Sequence, residues 1–286
     1  MTEPSDSELS ATAAPIRLSV LMATLGGPCV LSALRSVLSE PGDGFEIVLV
    51  LDTPAVNPAA LLSPLSAEQR ARIRLIQNPE NLGLTRSLNI GLAACQGEFI
   101  ARLDDDDQFA PGRIAKVLHI FDADPETDLL TGSVSVSMTG RGYRLSVPHS
   151  HEALARLLQR RNGLVHSALN IRRSVLVECG GYNEGFRFAQ DYELYLRLLR
   201  YGKRFKGTEQ LLAQRIEGAE SITLTKRRHQ ALYSLAALSM HHAQIWGEGP
   251  GDIRPILGSV ARFACPSALR QLIRWLRSFR SKALLR

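Results

Sequence analysis

Through the first third of the chain, short apolar runs alternate with stretches of helical periodicity, and this rhythm restricts the possible folds more than any other feature. Ile16 to Ala23, Phe45 to Leu51, Ile73 to Ile76 and Phe99 to Leu103 read as buried strands. Gly26-Gly27-Pro28 follows the first as a loop, and residues 30 to 39 then place apolar side chains at helical spacing. Asn78-Pro79-Glu80-Asn81 follows the third and leads into a helix from Leu84 to Ala94. Strands joined through helices predict an α/β fold with a largely parallel sheet and right-handed crossovers. All four strand ends then feed one edge, where open α/β sheets bind ligands.

That edge carries four consecutive carboxylates. Asp104 to Asp107 directly follow the strand Phe99 to Leu103, and Pro111 shortly after suits the first turn of a helix. Crowded like charges cost free energy unless a cation neutralises them, and hard divalent ions such as Mg2+ or Mn2+ prefer oxygen ligands. The cluster therefore predicts a metal carrying phosphate groups. The alternative is a helix-capping acidic loop, with Asp107 or a neighbour as N-cap.

Beyond the cluster the rhythm loosens. Leu129 to Met138 and Tyr143 to Val147 flank Thr139-Gly140-Arg141-Gly142 and predict a hairpin. A helix over His151 to Gln159, a strand over 165–171, a short helix over 173–179 and a turn at Gly180-Gly181 follow. From Asp191 to Tyr201, Leu194, Leu198 and Tyr201 recur at helical spacing, widened by Tyr195 and Leu199.

With 286 residues, the chain can bury one large core and carry a smaller C-terminal appendage. Cys29, Cys95, Cys179 and Cys265 form no C-x-x-C pair, which argues against a disulfide framework or zinc site and for reduced, cytoplasmic thiols. Residues 1–15 are rich in Ser, Thr, Ala and acids and predict a disordered tail, not a signal peptide. No run is long and apolar enough to span a bilayer.

Five blocks stand in a fixed order. They are Leu18-Ser19-Val20-Leu21-Met22, the strand ending at Asp52, the segment Asn81-Leu82-Gly83-Leu84-Thr85-Arg86-Ser87-Leu88-Asn89-Ile90-Gly91, the run from Gly97 through Asp107, and Gly180-Gly181-Tyr182 ahead of Gln190-Asp191-Tyr192-Glu193-Leu194. Together they resemble the family 2 inverting glycosyltransferases of bacterial polysaccharide biosynthesis, over roughly residues 16 to 225. The resemblance implies a GT-A, Rossmann-like domain over 16–225, with a mostly parallel mixed sheet flanked by helices and a helical C-terminal extension over 226–286. It further implies transfer of a sugar from a metal-bound nucleoside-diphosphate sugar, most commonly a UDP-sugar, to the hydroxyl of a saccharide or lipid-linked acceptor, with Mn2+ or Mg2+ as cofactor.

The resemblance also assigns roles. Asp106 is the expected metal ligand, and Thr24, Asp52, Arg86, Asp104 and Asp105 are expected at the nucleotide sugar. Asp52 would meet the nucleobase, or else serve as a turn residue before Pro54; relatives often carry a second acid or Gly-Ser where this chain has Thr53-Pro54. The guanidinium fork of Arg86 suits phosphate, and a plain surface role is the alternative. Asp191 matches the family's general base, which takes the acceptor proton during inverting attack, and Gln190 replaces a common Glu before it. A helix N-terminus would lower its pKa, whereas desolvation would raise it. His166, Tyr182 and Arg215 are expected on the acceptor or diphosphate side, Tyr182 by stacking on a sugar ring, with structural roles for His166 and Tyr182 as the alternative. Residues around His149 to Gly163 and Arg187 would shape the acceptor pocket. Arg215-Ile216-Glu217-Gly218-Ala219-Glu220-Ser221 lacks the loop His that relatives often carry.

Charge is concentrated at one end. The formal net charge is +6, yet residues 253–286 hold eight Lys and Arg and no acid, so the remainder carries 26 basic against 28 acidic residues. Within 267–286, Leu269, Leu272, Ile273, Leu276, Phe279 and Leu284 form a stripe flanked by Arg270, Arg274 and Arg277, which suits an anionic membrane surface. Docking on the protein body is the alternative. The expected location is cytoplasmic, peripheral on the inner face of the cell membrane. Nucleic-acid binding through the basic tail and a silent glycosyltransferase-like scaffold are the competing readings, and no nucleic-acid motif supports the first.

Overall fold

A computed structural model of the chain describes residues 15–138, 141–216 and 227–245. The first half builds as the apolar rhythm predicts. Strands β1 (Leu18–Thr24), β2 (Phe45–Leu51), β3 (Ile73–Gln77) and β4 (Phe99–Arg102) lie parallel, β1 pairing with both β2 and β4, and β2 with β3. Helices α1 (Val30–Leu38), α2 (Pro58–Leu62), α3 (Ala67–Ala71) and α4 (Leu84–Ala94) make the crossovers. Side chains of β1 and β2 alternate between two cores because the strand period is two. Leu21, Ala23, Val48 and Val50 meet Leu88 and Leu92 of α4 on one face, while Val20, Met22, Ile47 and Leu49 meet Val30, Ala33, Leu34 and Val37 of α1 on the other. A Cβ on Gly91 would stand 2.4 Å from Leu21 Cδ1 and 2.9 Å from Val50 Cγ2, so glycine is what lets α4 press onto the sheet.

The second half continues the same sheet in mixed orientation. Its elements are β5 (Asp107–Phe109), α5 (Arg113–Ala123), β6 (Leu129–Met138), β7 (Arg141–Leu145), α6 (His151–Leu158), a 3-10 turn over His166–Ala168, β8 (Asn170–Arg172), α7 (Arg173–Glu178), α8 (Gln190–Arg200), β9 (Phe205–Ile216) and α9 (Arg227–Ile245). The strand order is β3-β2-β1-β4-β8-β6-β9-β5, with β7 on β6. β8 runs antiparallel to β4 and β6, whereas β9 runs parallel to β6. α9 packs on α8, and Tyr233 meets Phe186 and Phe188 edge-on.

Several expectations are corrected. The strand over 165–171 is a 3-10 turn followed by a three-residue strand. Pro111 lies ahead of α5, whose N-cap is Gly112 in the left-handed region. No acid of the quartet caps that helix: Glu40 does so, accepting from the N–H of Gly112 at 2.7 Å and of Ile114 at 2.9 Å. Asp107 instead opens β5, opposite Arg215 of β9.

No described helix is long and apolar enough to cross a membrane. The expected tail over 1–15 (save Pro15), the loop Glu217 to Ser221 and the amphipathic stretch 267–286 lie outside the described residues.

Candidate active site

The carboxyl ends of β1, β2, β3 and β4 step along one edge. Asp52 N–H donates to Thr24 O at 2.8 Å, Asn78 N–H to Leu51 O at 2.9 Å and Leu103 N–H to Leu21 O at 3.3 Å. Each strand thereby delivers its next residue to the same ledge, and Thr24, Asp52, Asn78 and the acidic quartet all arrive there.

The four acids have different surroundings. Asp104 receives Arg102 Nη2 at 2.5 Å on one oxygen and the Ser167 hydroxyl at 3.0 Å on the other. Burial pushes its pKa up, but Arg102, His166, the Ser167 bond and Arg215 outweigh burial and hold it below the carboxylate range. Asp105 accepts from the Thr24 hydroxyl at 2.5 Å, and burial still raises its pKa, with Asp104 adding to the rise. Asp106 is exposed at the surface, yet partial desolvation by the crowded loop, then repulsion from Asp104 and Asp105, raises its pKa. Asp107 is pushed up to about 7, first by burial and then by Asp104. A divalent cation would relieve the repulsion that adds to the raised values of Asp105, Asp106 and Asp107.

Among the described residues no three His, Cys, Asp or Glu side chains converge on one point. The oxygen-only donor set nevertheless fits Mg2+ or Mn2+, which such sites hold through one or two carboxylates together with substrate phosphates and water. Asp106, the expected ligand, and its neighbour Asp105 are the candidates to do so.

Asp52 is buried and already engaged. Its carboxylate accepts from Asn78 Nδ2 and Leu82 N–H, both at 2.8 Å, and from Gly83 N–H at 2.9 Å. It thereby clamps the loop before α4, and one of its roughly four lone-pair positions stays open to a ligand. Arg86 is exposed on α4 and pairs with Glu184 at 3.2 Å.

Asp191 stands in the first turn of α8. The residue before Gln190, Ala189, has φ 53°, the one left-handed non-glycine among the described residues. Asp191 is half-buried and accepts from Asn162 Nδ2 at 2.8 Å. Desolvation raises its pKa, the bonds from Asn162 and the Tyr192 N–H pull it back, and the charge of Asp104 adds to the rise.

His166 and Tyr182 lie beneath this ledge. His166 Nε2 and the Tyr182 hydroxyl are 2.9 Å apart, with the rings edge to face. Burial, then Arg102, drives the His166 pKa down to about 3, so the imidazole is neutral. Tyr182 is only 2% exposed, and Asn89 clamps its backbone through both N–H and C=O. Its burial favours the structural alternative, packing, over a ring open to a sugar. Arg215 is half-buried, and its charge draws down the pKa values of Asp104, Asp106 and Asp107.

Sequence reading missed Arg102 and Ser167, and it covered Asn162 only within the stretch His149 to Gly163, without singling it out. Asn162 and Ser167 lie 29 and 63 residues from the acids they touch, so no local pattern links them. Arg102 left one clue, a lone cation inside an apolar strand two residues before the quartet.

The open α/β sheet with an acidic cluster at its ligand edge marks a GT-A fold. The profile of Glycosyl transferase family 2 matches residues 19–190, and the chain belongs to that family. It is 30% identical over 237 residues to the O-antigen biosynthesis protein RfbC of Myxococcus xanthus, covering 79% of this chain and 18% of that protein. An uncharacterized glycosyltransferase of Haemophilus influenzae is 28% identical over 172 residues, 59% of this chain and 62% of its own length. The chain thus spans less than two thirds of either relative. Among solved structures, S. aureus TarS residues 1–349 in complex with UDP-GlcNAc aligns with TM-score 0.61 at 16% identity, covering 86% of this chain and 71% of that one. The mannosyltransferase PcManGT of Pyrobaculum calidifontis, solved with GDP-Man and Mn2+, aligns with TM-score 0.60 at 17% identity, covering 97% and 84%.

Proposed function

We propose that the chain is an inverting glycosyltransferase, moving a sugar from a nucleoside-diphosphate sugar to an acceptor hydroxyl, with Asp191 as general base. The observation that supports this reading is a half-buried Asp191 in the first turn of α8, held by Asn162 at 2.8 Å and within reach of the charge of Asp104. A general base works best with a pKa nearer the operating pH than that of an ordinary carboxylate, and partial desolvation moves Asp191 that way. Asn162 aims the carboxylate from a neighbouring loop.

On the donor side, Asp106 and Asp105 would hold the cation, and the lone pairs left on Asp104 would accept from ribose hydroxyls. Asp52 and the loop it clamps would border the nucleobase. Arg86 and Arg215 are candidates for phosphate, Arg86 after exchanging Glu184 for the ligand. When bound, Mn2+ or Mg2+ supplies positive charge against the departing diphosphate. Neutral His166 and buried Tyr182 support the floor of the site.

Relatives named for surface polysaccharides, RfbC among them, support a saccharide acceptor, including one carried on a lipid. The basic stretch 253–286 supports an anionic membrane surface as a further partner. UDP and GDP are the donor nucleotides to try, since TarS and PcManGT were solved with them.

The test is Asp191→Ala. Turnover of the donor should fall by at least about a hundredfold, the usual size of a general-base effect, while nucleotide binding by calorimetry stays unchanged. Unchanged turnover would remove Asp191 from the reaction.

A further inference from the structure

Four adjacent carboxylates repel one another, so something must hold them before any cation arrives. Arg102, 1% exposed, does much of this. Its guanidinium donates to Leu21 O at 3.0 Å, to Leu103 O, and to Asp104 Oδ1 at 2.5 Å, so it ties the ends of β1 and β4 to the first acid. The Ser167 hydroxyl takes the other side of Asp104, accepting from its N–H at 3.1 Å and donating to Oδ2 at 3.0 Å.

Ser167 is itself locked. Arg113, fully buried at the start of α5, donates to Ser167 O at 2.5 Å, Leu169 O and Asn170 Oδ1 at 3.0 Å and Arg102 O at 3.3 Å. Its guanidinium also lies 4.0 Å from the Phe109 ring centroid. Two buried cations therefore underlie the loop, and both oxygens of Asp104 are committed to protein donors. Asp105 leans on Thr24. Asp106, by contrast, is exposed, and among the described residues its carboxylate meets no cation and no other side chain, only its own backbone N–H.

We propose that Arg102 and Ser167 are positioning residues of the donor site: they fix Asp104 as the neutralised anchor of the acidic loop, so that Asp106 presents the free carboxylate to the metal. This rests on reading the ledge as the metal and nucleotide-sugar site. A carboxylate bonded to a guanidinium and a hydroxyl is a poor cation ligand, whereas the unpaired one two residues on gains most from a cation.

The experiment measures Mn2+ binding by the electron paramagnetic resonance signal of the free ion, with UDP and, separately, GDP present. Wild type is compared with Ser167→Ala, Arg102→Lys, Asp104→Asn and Asp106→Asn, alongside initial rates across Mn2+ and donor concentration. Asp106→Asn should abolish nucleotide-dependent Mn2+ binding. Ser167→Ala, Arg102→Lys and Asp104→Asn should each weaken it about three- to tenfold, the effect of one or two lost hydrogen bonds. For Ser167→Ala and Arg102→Lys, kcat at saturating Mn2+ and donor should stay within about twofold of wild type, a split that general destabilisation would not give. Ser167→Ala only removes a hydroxyl, so it carries the test if Arg102→Lys does not fold. Wild-type Mn2+ affinity in Ser167→Ala, or abolition in Asp104→Asn matching Asp106→Asn, would overturn the proposal while leaving the site in place. Absence of nucleotide-dependent Mn2+ binding in wild type would instead remove the site reading and the proposal together.

Discussion

At the scale of residues, identical side chains carry different chemistry according to what surrounds them. Asp104 is held ionised by Arg102 and its neighbours, Asp107 is pushed up to about 7 by burial, and Asp191 is raised by desolvation at a helix start that by itself would lower it. The acidic limb of the rate follows from the last of these. Asp191 must be unprotonated to act, so kcat/KM should fall as pH drops through its pKa, at a point above the ordinary aspartate value of about 3.9. Removing the Asn162 bond, which lowers that pKa, should move the limb to higher pH in Asn162→Ala. A pH–rate profile of the two proteins checks both the position and the direction. The contiguous quartet and Asp191 were legible in the sequence because each keeps its identity in a short string. Arg102 and Ser167 were not, and Asn162 only as one member of the stretch His149 to Gly163, because their importance lies in contacts that only the folded chain creates.

At the scale of elements, α4 and β2 match the bounds expected from the sequence, since each lies between clear turn residues and buries a regular face. β9 went unseen: its twelve residues mix buried and exposed positions without alternation, because it pairs with β6 through irregular register and with β5 only near its end. The turn over His166–Ala168 was read as strand because its flanking residues are apolar and buried like those of a strand. The N-terminus of α8 is the element on which the proposed base depends, and its entry is strained at Ala189. A left-handed backbone costs a residue with a Cβ about 1 kcal/mol, and more for a β-branched one. Ala189→Gly should therefore stabilise the fold by up to about 1 kcal/mol in urea denaturation, whereas Ala189→Val should destabilise it. If the turn serves to aim Asp191, Ala189→Val should also lower kcat more than it weakens nucleotide binding.

At the scale of the whole molecule, one continuous sheet joins two different tasks. The parallel half, β3-β2-β1-β4, brings Thr24, Asp52 and the acidic quartet to a single edge, and the mixed half folds back so that Ser167, Arg215 and Asp191 approach that edge from the other side. This edge is expected to take a nucleoside diphosphate together with a divalent cation. Ligand that binds only the folded state raises the melting temperature, so thermal unfolding reports occupancy of this edge directly. The decisive measurement is the shift in melting temperature with UDP, dTDP, GDP or CDP, each with Mn2+, Mg2+ or EDTA, for wild type and Asp106→Ala. A shift for one nucleotide that requires the metal and vanishes in Asp106→Ala is the predicted result; a shift that survives EDTA or the substitution, or no shift with any pair, would contradict it.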